Sequence, residues 1–165
     1  MILSHAECLQ KDMAYLQDYL FGRGGPLRDV EVRLRRAAFT VKPLWYPWPL
    51  STTTISSKTV YLARNWNEWS DVSRRANLIH EARHLGQYEG KNAILWQARY
   101  LASESFRAAV EVEASVDQMF FYRHIKYRPD MDHFVSHLID GHALNKDRKP
   151  ALVMLFTNLF EGKSI

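Results

Sequence analysis

Apolar positions divide the chain into stretches of different period. Leu9, Met13, Leu16 and Leu20 recur at i, i+4, i+7 and i+11, the spacing of an amphipathic helix. Gly22, Gly24, Gly25 and Pro26 end it. The period then falls to two, with Val30, Val32 and Leu34 alternating with Glu31, Arg33 and Arg35, which predicts a strand with one wet face; Phe39 and Val41 extend it after a break. The run from Pro43 to Pro49 holds three prolines among Trp45, Tyr46 and Trp48, too many for regular structure, and reads as a packed loop or the rim of a cleft. Residues 51–55 and 59–62 are rich in β-branched side chains. With Ser56, Ser57 and Lys58 as a turn they predict a hairpin or one interrupted strand.

Beyond Asn65 the pattern is helical. A helix opens at Ser70 or Ser73 and runs to about Glu89, where Gly90 stops it. Further helices follow over 92–102, over 105–126 up to Tyr127-Arg128-Pro129, over 130–140 with Gly141 as the stop, and from Pro150 through Phe160. Few strands followed by many helices predict an α+β fold, a small and mostly antiparallel sheet packed on the 70–89 helix and several others. At 165 residues the chain is expected to be one domain, 1–165, burying roughly 70% of its extended-chain surface.

Composition narrows the function classes. Hydrophobic residues make up 47% and charged residues 24%, ordinary values for a globular domain. The longest strictly apolar run, Ala151 to Phe156, falls far short of the roughly 20 residues that span a bilayer. No basic stretch followed by an apolar core opens the chain, so a cytoplasmic location is the default expectation. Cys8 is the only cysteine, which excludes an intramolecular disulfide and a cysteine-based zinc cluster. A net charge of +4 allows acidic partners. The basic residues are dispersed, however, apart from Arg33, Arg35 and Arg36 and the pair Arg74-Arg75, so nucleic acid is not the expected partner.

The candidate chemistry lies in the 70–89 helix. His80-Glu81-Ala82-Arg83-His84 is the His-Glu-x-x-His pattern, in which a helix presents two imidazoles to a zinc ion and a carboxylate to the water there. At 100° per residue, His80 and His84 lie about 40° apart, one turn displaced along the axis. A catalytic zinc takes three protein ligands and keeps a fourth position for water, so a third ligand must come from elsewhere. Glu113 is the expected one, because Asp117 follows four residues later on the same helix face and can accept the spare N–H of a ligand histidine. Glu111 competes but has no acid four residues on.

His80-Glu81-x-x-His84 with the downstream Glu113-Ala114-x-x-Asp117 resembles the gluzincin metallopeptidases, the thermolysin-like branch of zinc peptidases. The resemblance implies His80, His84 and Glu113 as ligands of one zinc ion, Glu81 as the base that activates water, and Asp117 as the support of His80. A narrower likeness is to short, poorly characterised bacterial and phage metallopeptidase-like proteins. They share a hairpin before the helix, here 54–62, a run like His84-Leu85-Gly86-Gln87-Tyr88-Glu89, and a later Glu-x-Glu-Ala, here Glu111 to Ala114. Together these cover about residues 52–125. The flanking 1–25 and 130–165 are the N-terminal helix and the C-terminal helices.

Two departures stand out. Gln87 removes the Gly-x-x-His continuation of the metzincins, and no separate histidine matches the one that assists the transition state in thermolysin-like enzymes. The implied activity is zinc-dependent hydrolysis of a peptide or protein substrate. Thr59, Val60 and Tyr61 are expected to form an edge strand that pairs with the extended substrate. Tyr88, Tyr122, His124 and Tyr127 are candidate oxyanion donors.

Two other functions compete: a non-catalytic zinc-stabilised interaction module, and a basic nucleic-acid-binding protein with an incidental motif. His133 and His137 also stand four apart, but with no glutamate after the first they read as a solvated helix face. Trp45, Trp48, Trp66, Trp69 and Trp96 read as core and loop anchors, and Cys8 as a small buried residue.

Overall fold

A computed structural model describes residues 3–20, 31–34, 53–56, 59–62 and 65–163. The glycine-rich stop at 22–26, the extension at Phe39 and Val41, the proline run with Trp45 and Trp48, and Ser57-Lys58 of the expected turn lie outside the described residues. In chain order the elements are α1 (His5–Leu20), β1 (Glu31–Leu34), β2 (Thr53–Ser56), β3 (Thr59–Leu62), α2 (Asp71–Tyr88), α3 (Ala93–Ala102), α4 (Glu104–His124), α5 (Met131–His142) and α6 (Lys149–Glu161), with 3-10 turns at Trp66–Glu68 and Lys146–Arg148.

The expected α+β class is overturned. Six α-helices carry the described chain, and β structure is confined to three strands of four residues each, so the protein is helical in class. The ladder is also not mostly antiparallel. Its order is β1-β3-β2, with β3 parallel to β1 and antiparallel to β2. The β2–β3 pairing places Thr53 opposite Tyr61 and Thr54 opposite Val60, with an irregularity before Ser56 meets Thr59. Such short strands cannot bury a face large enough to set the class, whereas the helical stretches run from 10 to 21 residues.

Residue contacts gather the chain into two compact units, one of α1, the strands and α2, the other of α3 to α6. In the first, α2 packs against α1 and β2. It is buried almost all round, from Arg74 to Tyr88, as a central helix is rather than an amphipathic surface one. Ser70 caps its N-terminus by accepting from the Ser73 N–H, and Gly90, at φ +69, takes the left-handed turn beyond its end. The buried stripe of α1 is Cys8, Asp12 and Leu16. Asp12 lies on it because Arg74 Nε meets one of its carboxylate oxygens at 2.5 Å and Arg75 Nε the other at 3.1 Å.

In the second unit α4, α5 and α6 enclose a core of Ala108, Met119, Val135, Leu138, Ile139 and Phe156 among others. Asn92, Ser103 and Asp130 cap α3, α4 and α5 through side-chain oxygens. The predicted stop at Gly141 is overrun. A single glycine is tolerated near a helix end, and α5 closes instead at Ala143, which takes φ 49 and returns its N–H to Ile139 O.

Candidate metal centre

His80 and His84 turn their Nε2 atoms toward each other at 3.0 Å, with ring planes at 84°. They are 7% and 8% exposed. The tautomer of His84 follows from its other nitrogen. Gln87 Oε1 lies 2.8 Å from Nδ1; a carbonyl oxygen only accepts, so Nδ1 carries the hydrogen and Nε2 is left as a bare donor atom for a metal. His80 Nε2–H then donates to His84 Nε2. For both Nε2 atoms to hold one ion, His80 would carry its ring hydrogen on Nδ1 instead.

His80, His84 and Glu111 form a group in which each offers one ligand atom, all within 4.8 Å of one another, and all three are buried. Two imidazoles and one carboxylate match the three-ligand set of a catalytic zinc. The carboxylate of this group is that of Glu111, not that of the expected Glu113. The reason is helical geometry. Residues 111 and 113 lie about 200° apart on α4, on opposite sides, and Glu113 is on the exposed one. Asp117 shares Glu113's side and is half-buried there, so it is not one turn beyond the carboxylate of the group. The residue that is one turn beyond Glu111 is Ser115, fully buried with an unpaired hydroxyl. Glu81, on the same helix as the two histidines, is 4% exposed and is not one of the three.

Strand addition at β3 does not survive. β3 is hydrogen-bonded on both edges, to β1 and β2, so its backbone offers no free edge, and the Val60 side chain is fully buried. Among the candidate oxyanion donors, Tyr88 is buried, while His124 and Tyr127 are exposed. Tyr122 packs against the apolar core of α4 to α6, and burial pushes its phenol up to about 12. His133 and His137 are exposed, in keeping with a solvated helix face. Cys8, Trp66 and Trp96 are buried.

Three residues next to Glu111 went unmarked as functional: Tyr100, Arg107 and His142. Tyr100 OH donates to Glu111 Oε1 at 2.5 Å, His142 Nδ1 lies 3.3 Å from the same oxygen, and the phenol and imidazole are 3.2 Å apart. A signal was present in the sequence. Arg107, Glu111 and Ser115 are polar residues at four-residue spacing, a stripe on the buried face of α4. No family model, no curated protein and no solved structure matches this chain. Among the described residues, no helix is long and apolar enough to cross a membrane.

Proposed function

We propose that the protein is a zinc-dependent peptide hydrolase of gluzincin type, with His80, His84 and Glu111 as ligands and Glu81 as general base. The observation that carries this reading is the buried group of two imidazoles and a carboxylate within 4.8 Å, the two imidazoles lying on the helix that also bears the motif glutamate. A zinc ion in such a group polarises a carbonyl and lowers the pKa of water to roughly 7. The chain's own residues do the rest. Gln87 fixes His84 with Nε2 bare. Glu81 takes a proton from the attacking water and returns it to the leaving nitrogen, a transfer that contributes about 10²–10⁴-fold. One carboxylate among the ligands leaves a net positive site that favours the oxyanion of the tetrahedral state.

A second reading has one observation in its favour. All three ligands and Glu81 are under 9% exposed, and closed sites are the mark of structural zinc. One experiment separates the two. Purified protein is expected to carry about one zinc per chain, and His80→Ala none. Glu81→Gln keeps the metal and loses cleavage of a mixed peptide library; cleavage at full rate in that variant sinks the mechanism. Wild-type protein that melts earlier on chelation yet cleaves no peptide establishes the structural zinc instead.

A further inference from the structure

Glu111 is the one buried carboxylate among the described residues of α3 to α6. The Tyr100 hydroxyl and His142 Nδ1 converge on one of its oxygens, Oε1. A phenol has a single hydrogen, and it goes to the carboxylate, so His142 Nδ1 must carry a hydrogen of its own to face Tyr100 and Glu111.

What places the two donors is Arg107, one turn before Glu111 on α4 and 6% exposed. Its Nε donates to His142 O at 2.7 Å and a terminal nitrogen to Ala143 O at 3.2 Å. The other terminal nitrogen donates to Tyr100 O at 2.9 Å and Leu101 O at 3.4 Å. Tyr100, Leu101 and His142 are in the last turns of α3 and α5, where helix carbonyls lack internal partners and the helix dipole is negative. A guanidinium satisfies both demands at once through its rigid fork. One arginine thus pins the backbones of the two residues whose side chains hold the glutamate.

We infer that Tyr100, set together with His142 by Arg107, is a positioning residue that orients Glu111 as a metal ligand. This rests on the zinc reading above. The test uses the full-length protein loaded with zinc or cobalt(II). Tyr100→Phe removes one hydroxyl without changing ring volume, and is expected to weaken zinc 10–100-fold by chelator competition and to alter the visible spectrum of the cobalt form. Arg107→Lys is expected to weaken zinc as well. The double variant should bind no more weakly than Arg107→Lys alone, since both act on one carboxylate.

Tyr100→Phe with wild-type zinc affinity and cobalt spectrum overturns the inference, even if it lowers the melting temperature, because a merely structural hydroxyl would do only that. Losses that add in the double variant overturn the route through Arg107. Should Arg107→Lys fail to fold, Tyr100→Phe decides alone. Wild-type protein that binds no zinc overturns the function proposed above, and the inference with it, whereas a zinc-binding wild type with an unaffected Tyr100→Phe overturns only the inference.

Discussion

Asp12 and Glu111 are both buried carboxylates, 0% and 2% exposed, and they are held by different chemistry. Asp12 is bracketed by two guanidiniums, those of Arg74 and Arg75. Glu111 is held by a phenol and an imidazole. A carboxylate matched by guanidiniums has its negative charge compensated and serves as a fastener between α1 and α2. At Glu111 the hydrogen bonds from the phenol and the imidazole offset part of the cost of burial. Partner chemistry, more than burial, separates a structural acid from a candidate ligand.

Substitution breaks the comparison at both ends. Asp12→Ala takes the buried carboxylate from Arg74 and Arg75 and leaves them the more exposed Asp71, and removing one member of a buried ion pair costs at most about 3–5 kcal/mol. It should show as a large fall in the urea midpoint. Glu111→Gln should do the opposite, sparing most of the stability and removing zinc from the purified protein; equal destabilisation by the two variants would erase the distinction. A smaller effect is expected at Gln87, where alanine frees the His84 tautomer and should weaken zinc 10–100-fold by chelator competition with little change in fold. Glu113→Ala should do almost nothing. As an exposed helix residue it should stay within about 0.5 kcal/mol of wild type and keep full zinc content, and loss of zinc there would return the third position to Glu113.

The same contrast explains what the sequence made legible. The support of His84 is local, since Gln87 is three residues away on the same helix, and a helical period read from the sequence brings the two together. The caps at Ser70 and Asn92 are legible for the same reason. The support of Glu111 comes from Tyr100 and His142, which are 42 residues apart in sequence. Nothing in either neighbourhood announces that meeting. Glu113 looked stronger because Asp117 followed it at i+4, yet spacing along one helix says which residues share a face, not which face is buried. The β-branched residues of 51–62 announced strands correctly but not their share of the fold, because strand propensity is local and class is decided by how much surface each element buries.

The fastener between α1 and α2 also bears on folding order. Arg74 and Asp12 are 62 residues apart, and three further links, Lys11 to Asp71, Arg75 over the Tyr15 ring and Asn67 to Leu3 O, join the same two stretches. Closing so long a loop costs entropy before any of these contacts repays it. During synthesis α1 emerges first and must wait, its acidic residue unmatched, until the arginines of α2 follow. Trimming the chain past Asp12 would leave Arg74 and Arg75 without that partner at the start of the helix that carries the two histidines.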